Sequence, residues 1–303
     1  MNLIFQWYNF RYAKYIDLNR NRFNGIVKKE RAMLNSSPFM IFLVLAGSLC
    51  ASPVVALEWS ATEIELLHSG NFREPFNPNG VTKSIVTLQH ASGYGVGRNF
   101  LFVDVLQSGD QERDLANNPE SPTEIYAEAY TTLSLSRITS RNLAVGPLKD
   151  FGLTIGINIG DKDSQLHPKP KIYLAGFTLD FAVTKGFFNV DVLGYWDHGC
   201  YDGINSCPNY KGTYQITPAW SVPFSLGSVD AEFAGFIDFI GSRGAGTVHQ
   251  VLSQPQLRFD IGKPLLGQKG RLYAGIEYQY WHNKYGNKGV DEQHPQLLVL
   301  WKF

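Results

Sequence analysis

Cysteine and methionine are scarce in this sequence, with three residues of each among 303, and no long apolar run follows residue 57. A membrane-spanning helix needs about 20 consecutive apolar residues, so we predict no transmembrane helix in this part of the chain. Excess charge of one sign is also absent, because 27 basic residues balance 27 acidic ones. A protein that binds nucleic acid is expected to be basic, so nucleic acid is not an expected partner.

Residues 1–56 differ in composition from the rest of the chain. They contain seven basic and two acidic residues, which leaves 20 basic and 25 acidic residues in 57–303. Their second half has the order of a secretory signal, with basic residues, then an apolar core at 39–49, then small residues. That core is about half as long as a membrane anchor must be, and a proline follows it closely. We therefore predict a non-mature extension and signal peptide over 1–56, cleavage after Ala56, and export.

Two cysteines remain in the predicted mature chain. Cys200 and Cys207 flank the short polar segment CYDGINSC. Because exported proteins meet an oxidising compartment, this pair is a candidate for a small loop disulfide. Two thiols without a nearby histidine are too few ligands for zinc. No metal site and no cofactor are expected.

Aromatic residues and glycine are abundant, at 14% of the chain and 29 of its 303 residues. Both suit β-strands and tight turns. The apolar residues also recur with a period of two. The segment LRFDI from Leu257 alternates apolar with charged residues, and LTIGINIG from Leu153 sets four aliphatic residues against Thr, Gly and Asn. This period is that of strands, whereas helices repeat every 3.6 residues.

Segments with this alternation number twelve, and most are longer than the strands of soluble sheets. The predicted strands are 59–68, 82–92, 97–107, 123–138, 151–161, 171–184, 186–197, 211–223, 227–241, 249–261, 270–283 and 294–303. Soluble sheets have strands of about 5–6 residues, whereas a tilted strand crosses a membrane with about 9–11. An even number of long strands predicts an all-β fold, a transmembrane antiparallel β-barrel over 57–303.

The connections and the C-terminus support the barrel. Connections after odd-numbered strands are mostly long and polar, as in 107–122, whereas several after even-numbered strands are tight; the connection TSRNLAVGPLKD is a long exception. This asymmetry is typical of outer-membrane barrels. In the final segment PQLLVLWKF, Trp301 and Phe303 share one apolar parity. We interpret them as the lipid-facing aromatic residues of a closing strand. A secreted β-sandwich is the alternative, but charged residues on one parity of nearly every strand argue against it.

The other parity of the strands is predicted to face the lumen, and it mixes aromatic residues with carboxylates. A nucleobase can stack on an aromatic ring for about 1–3 kcal/mol, and ribose hydroxyls can donate to carboxylates. An acidic lumen also disfavours phosphorylated solutes. The candidate channel-lining and nucleoside-binding residues are Phe100, Phe102, Asp104, Tyr126, Glu128, Tyr130, Asp191, Tyr195, Asp230, Glu232, Asp238, Arg258, Asp260, Tyr273, Glu277, Gln279 and Trp281.

Motifs of catalysis are missing from the sequence. The glycine-rich segments GYGVGRN and GSRGAG lack the lysine and the strand-to-helix context of a phosphate loop, so we interpret them as turns. The seven histidines are scattered, without the spacing of a zinc site. A serine, a histidine and an orienting group brought together by folding would be needed for hydrolysis. We predict that the protein is not an enzyme, and a barrel-embedded hydrolase is kept as a minor alternative.

Several stretches resemble one protein family. LSLSRITSRNLAVGPLKD is similar to the stretch S-x-x-x-x-T-x-x-x-L-S-F-G-P-x-K-[ED] of the Tsx-type nucleoside-specific outer-membrane channels, a family that includes an OmpK-like branch. Ala144-Val145 stands here where that family has Ser-Phe. The stretches NFLFVDV, YQITPAWSVPFSLGS, FAGFIDFIGS and the closing GRLYAGIEYQYWHNKYGNKGVDEQHPQLLVLWKF add to the resemblance. Together they extend it over about 58–303.

The resemblance implies a small, monomeric, twelve-stranded porin-like barrel in the outer membrane of a Gram-negative bacterium. Its expected partners are nucleosides or similar small polar aromatic solutes and the lipid of that membrane. Some family members also bind phages and colicins. A receptor or adhesion barrel with a plugged lumen, whose loops 107–122 and 198–210 bind the partner, is therefore a second hypothesis. The first hypothesis is facilitated diffusion of nucleosides through weak successive sites.

Overall fold

The computed structural model describes residues 57–77 and 79–303, and these form a barrel of twelve strands. The predicted signal peptide and its cleavage after Ala56 lie outside the described residues. The strands are β1 (Leu57–Phe72), β2 (Val81–Tyr94), β3 (Gly97–Ser108), β4 (Thr123–Ser134), β5 (Leu148–Lys162), β6 (Lys171–Phe181), β7 (Phe187–Asp197), β8 (Thr213–Leu226), β9 (Val229–Ile240), β10 (Gln250–Ser253 and Gln256–Asp260), β11 (Leu272–His282) and β12 (Glu292–Lys302).

Each strand pairs antiparallel with the next along the chain, and β12 pairs with β1. In that last pair Glu63 is opposite Lys302 and Leu66 is opposite Val299. Closure leaves the barrel formed by the described residues without an unpaired edge, which a membrane-spanning sheet requires because lipid offers no hydrogen bonds to an open edge. The prediction of an all-β, twelve-stranded antiparallel transmembrane barrel is confirmed.

Most strand ends differ from the predicted ones by up to four residues, and two of the differences have a clear local cause. The strand expected over 123–138 ends at Ser134, where a short helix begins and the Ser134 hydroxyl accepts from the backbone N–H of Arg137. The strand expected over 249–261 is β10, which is interrupted at Gln254 and Pro255. Proline has no backbone N–H to donate to the ladder, and so it favours such a break.

The barrel has two different ends. We call the end with Leu57 and Phe303 the terminal end, and the opposite end, with the connections after odd-numbered strands, the loop end. The turn from β8 to β9 at the terminal end has only two residues, and Gly227 adopts a φ of +62° there. Glycine is favoured at that position because a side chain disfavours this conformation.

Short elements lie in the connections of the described chain. No helix among the described residues is long and apolar enough to span a membrane. A disulfide joins Cys200 to Cys207, the pair for which the sequence allows one. The short elements are the two-residue strands Glu112–Arg113, Pro119–Glu120, Pro168–Lys169 and Cys200–Tyr201, the α-helices Leu135–Thr139 and Gly262–Leu266, and the 3-10 helices Asp202–Ile204 and Lys284–Gly286.

The outward face of the barrel is apolar. Ile155 and Leu297 are 61% and 69% exposed although both are large aliphatic residues, and similar residues occupy the outward parity of most strands. A soluble protein rarely exposes so continuous an apolar surface, whereas lipid covers it at no such cost. The alternation of the sequence therefore separates a lipid-facing surface from the lumen.

Aromatic residues flank this apolar surface at both ends, as they do at the two interfaces of a membrane-spanning barrel. Outward aromatic residues near the loop end are Tyr173, Trp196, Tyr214, Phe239, Tyr278 and Tyr280. Aromatic residues on the outward parity near the terminal end are Phe151, Trp301 and Phe303. Trp301 and Phe303 lie on the outward parity that the sequence predicts.

Candidate functional site

The lumen contains one large cavity of about 940 Å³. Its lining reaches the terminal end at Arg137, Val183 and Gly186, and it reaches mid-barrel at Asp104 and Glu277. Among the described residues, none from the six connections of the loop end lines it. The cavity is thus a recess that enters the barrel from the terminal end and ends short of the loop-end connections.

One wall of the cavity is aromatic. Phe100 and Phe102 project inward from β3 with their ring centroids 6.1 Å apart, and Phe102 lies 6.1 Å from Tyr126 of β4, a ring that does not itself border the cavity. Tyr130 lies beside them, and its ring occupies the space next to Gly156 of β5. A Cβ atom on Gly156 would be 2.5 Å from that ring, so only glycine leaves the space. The result is a series of rings that a planar solute can stack on.

Four carboxylates line the mid-barrel part of the cavity, and each has neutral hydrogen-bond donors. Asp104 accepts from the Thr87 hydroxyl at 2.5 Å, and Glu128 accepts from the Tyr126 hydroxyl at 2.8 Å. In the described chain no basic side chain lies within 4 Å of any of the four. An acidic surface beside an aromatic one can therefore accept hydrogen bonds from solute hydroxyl or amino groups. The four carboxylates are Asp104, Glu128, Asp191 and Asp238.

The opposite wall is a network of ions and amides centred on Arg258. Its guanidinium lies 2.7 Å from Glu65 and 3.3 Å from Glu63, and its Nε donates to Gln256. Gln256 in turn donates to Glu277 at 2.6 Å. Because every member has a partner, this wall is expected to be rigid.

A bidentate ion pair spans the mouth of the cavity at the terminal end. Arg98 of β3 contacts Asp180 of β6 with two N–H donors, both at 2.8 Å. These strands are not neighbours, since β4 and β5 lie between them, so the pair crosses the lumen. Planar bidentate pairs of this kind hold both side chains in a defined orientation. Arg98 and Asp180 thereby narrow the entrance.

The loop-end half of the lumen is filled by buried charged residues. Glu74 follows β1 and points inward, where Lys83 and Lys162 contact its two oxygens at 2.6 and 3.0 Å. Lys284 lies 3.3 Å from Glu74 and 2.9 Å from Glu292. We call six residues the loop-end ionic cluster: Glu74, Lys83, Glu112, Lys162, Lys284 and Glu292, all buried.

Aromatic rings pack around this cluster. The Lys284 ammonium lies 5.1 Å from the ring centroid of Trp281, 5.2 Å from Tyr285 and 5.9 Å from Phe72. Burial raises the pKa of Glu74, but Lys284, Lys83 and Lys162 outweigh it and hold that pKa well below the ordinary value of 4.5. Glu74 is therefore ionised at neutral pH, and it ties together elements on different sides of the barrel.

Ten of the seventeen residues that the sequence predicts for the channel border the cavity. They come from six strands, and the inward parity of each strand places them there. The ten residues are Phe100, Phe102, Asp104, Glu128, Tyr130, Asp191, Glu232, Asp238, Arg258 and Glu277.

The other seven do not border the cavity, because each has a role in packing or in a turn. At the terminal end Asp230 pairs with Lys269 at 2.6 Å, and Asp260 accepts from the backbone N–H of Gly262 and Gly270. The remaining five are held within the barrel, in apolar clusters or in hydrogen-bond networks. They are Tyr126, Tyr195, Tyr273, Gln279 and Trp281.

Sequence reasoning missed several lining residues. The inward face of β1 carries Glu63, Glu65 and Leu67 at every second position. The alternation of the sequence could therefore have identified both glutamates as lining residues. The loop-end ionic cluster had no such signal, because Glu74 and Lys284 lie in connections whose conformation the alternation does not define. Among the described residues no group of three or more His, Cys, Asp or Glu side chains could hold a metal ion.

Among known proteins, the similarity found is to the folds of solved barrel structures. No family model matches this chain, and no curated protein sequence does. The translocator domain of autotransporter NalP from Neisseria meningitidis is 11% identical, with a TM-score of 0.40 over 80% of this chain and 88% of that one. The KdgM porin is 8% identical, with a TM-score of 0.39 over 81% and 99%. OccK11 (OpdR) from Pseudomonas aeruginosa is 9% identical, with a TM-score of 0.32 over 80% and 96%.

Proposed function

We propose that this barrel lies in the outer membrane and is a channel for nucleosides or similar small polar aromatic solutes. The observation that carries the proposal is the pairing of stacked aromatic rings with four carboxylates in one cavity. The size of the cavity, about 940 Å³, lies within the range of about 300–1,000 Å³ that small-molecule sites occupy. The resemblance to the Tsx-type family points in the same direction.

The proposed path uses weak contacts in succession. A solute enters past the Arg98–Asp180 pair, and its base stacks on Phe100 or Phe102. Its hydroxyl groups then donate to Asp104 or Glu128. Each contact must release the solute easily, because a tight site would stop transport. Ten acidic and four basic side chains line the cavity, so nucleosides are favoured over nucleotides.

Binding of adenosine to the purified protein tests the proposal at its central contact. The Phe102→Ala variant loses a stacking surface of about 1–3 kcal/mol, so its Kd for adenosine should rise about 5- to 150-fold. Phe177→Ala is the matched control, because Phe177 faces lipid and is 58% exposed. The control should bind like the wild type. Adenosine 5′-phosphate should bind more weakly than adenosine.

Transport is measured separately, as adenosine uptake into proteoliposomes, which should saturate with concentration. The proposal fails if adenosine does not bind, or if Phe102→Ala and Phe177→Ala bind it equally well. Binding without saturable uptake would leave a nucleoside-binding barrel and would contradict the channel.

The filled loop end favours a second candidate, a receptor barrel whose lumen stays plugged. In this case the loops after β3 and β7 would bind a phage or a colicin. Short strands and the Cys200–Cys207 disulfide order these loops. Deletion of either loop should abolish binding of that partner. Under this hypothesis, adenosine uptake stays absent in the wild type and in the deletion variants.

A further inference from the structure

The loop-end ionic cluster fills the lumen through side-chain contacts, which are separate from the backbone hydrogen bonds that join the strands. Glu74 lies outside the strands, and its lysine partners come from β2, from β5 and from the connection after β11. Strands β2 and β5 are held in place by their own ladders. The connection after β11 is held by backbone hydrogen bonds such as the one from Lys284 N–H to the Val290 carbonyl at 2.7 Å, and this bond does not involve Glu74. Removal of Glu74 from the lumen would therefore leave every strand pair intact.

The cluster is also incompletely satisfied. Lys162 contacts Glu112 through one oxygen, while Oε2 of Glu112 is buried without a hydrogen-bond partner. Glu124 is 3.9 Å from Lys83 through its Oε2, which is likewise buried without a hydrogen bond. With Glu124 counted, four carboxylates face three lysines. Buried ions that serve only stability are normally fully paired, since each unsatisfied group opposes folding.

The position of the cluster defines what its opening would do. The cavity ends short of the loop-end connections, and the cluster with Phe72 and Trp281 fills the lumen beyond it. Glu74 contacts lysines from three separate elements, so it is the residue whose departure separates the most contacts. Once Glu74 leaves, no described carboxylate links the three lysines, because Glu124, Glu112 and Glu292 each contact one lysine of the three.

We propose that the loop-end ionic cluster is a gate, and that the Glu74 carboxylate is the group that keeps it closed. The closed state separates the cavity from the loop end. Opening moves Glu74 away from Lys83, Lys162 and Lys284 and connects the cavity to the loop end, while the strand register is unchanged. This inference concerns any solute or ion that passes the lumen, and it does not depend on nucleosides.

Conductance of the full chain in planar bilayers with KCl, without nucleoside, tests the gate. The wild type should be closed for most of the recording. Glu74→Gln keeps the shape of the side chain but removes its charge, and its open-to-closed ratio should rise about tenfold or more. Lys284→Met, which loses contacts to both Glu74 and Glu292, should show the same change.

Glu120→Gln is the matched control, because Glu120 lies at the loop end and accepts from the backbone N–H of Gln165 outside the cluster. Its conductance should equal that of the wild type. Folding of each variant is checked by the resistance of the barrel to SDS before heating. The gate is refuted if the wild type conducts freely, or if folded Glu74→Gln and Lys284→Met remain closed like the wild type. It is also refuted if neither variant folds, since the cluster would then be a structural core.

Because these recordings contain no nucleoside, they separate the gate from the proposed solute. Failure of adenosine binding with increased KCl conductance in Glu74→Gln would leave the gate and remove the solute assignment. Adenosine binding together with a KCl conductance that is the same in Glu74→Gln and the wild type would keep the solute assignment and refute the gate.

Discussion

Replacement of Arg258 by methionine should strongly destabilise the barrel. The Arg258 side chain is 6% exposed, and Glu65 beside it is 3% exposed. Their closest contact is 2.7 Å, for which Coulomb's law gives an attraction of about 6 kcal/mol at an effective dielectric constant of about 20. That value is an upper bound on the loss, since burial of both ions opposes it.

The neighbours of Arg258 decide how much of this attraction is lost. Glu63 and Glu232 keep a cation after the replacement, because Lys302 contacts them at 3.2 and 2.7 Å. Among the described residues, Glu65 keeps a single side-chain partner, the amide of Gln256 at 3.1 Å. Within the described chain, the buried Glu65 carboxylate is therefore left without a basic side chain in contact with it. Breaking such a pair lowers the free energy of unfolding by about 3–5 kcal/mol.

Urea unfolding in phospholipid vesicles, followed by tryptophan fluorescence, measures this change. The double variant Arg258→Met/Glu65→Gln should recover about half of the loss or more, because it removes the unpaired charge. Ser225→Ala is a control, because its partner Asp230 is exposed at the terminal end and keeps Lys269. A loss below about 1 kcal/mol in Arg258→Met, or no recovery in the double variant, would refute the reasoning.

Three further predictions concern the loop end, the disulfide and the aromatic wall. Three lysines hold the pKa of Glu74 below 4.5, so the ionised carboxylate stabilises the folded barrel. The wild type should therefore have a larger free energy of unfolding than Glu74→Gln above about pH 4.5, and the difference should disappear as acid protonates Glu74. Urea unfolding of both proteins at a series of pH values measures this. Cys200→Ser/Cys207→Ser should speed proteolysis of the loop after β7 by removing about 2–3 kcal/mol of local constraint, while an unchanged urea midpoint shows that the barrel is unaffected. Gly156→Val should displace the Tyr130 ring and lower the free energy of unfolding by about 1–3 kcal/mol; wild-type stability would contradict the close contact.

Much of the barrel follows from alternation. On β11, Glu277 and Gln279 are buried while Ile276 and Tyr278 are exposed, as the period of two predicts. A strand's side chains alternate between its two faces by geometry alone, so strand positions and lumen residues could be read from residue order. The break in β10 was harder to predict from the sequence, because Pro255 lies inside a segment that otherwise alternates.

The sequence by itself determined which residues face lipid and which face inward, because local backbone geometry sets that choice. The tertiary structure alone decided which inward residues border the cavity and which fill the barrel. Trp281 and Phe102 both lie on the inward side of their strands. Trp281 packs on Tyr285 near the loop end, whereas Phe102 lines the cavity. The contacts of Glu74 with Lys83, Lys162 and Lys284 depend on closure of the twelve strands, which brings together residues up to 210 positions apart. No local pattern encodes such contacts, since they form only when the barrel closes.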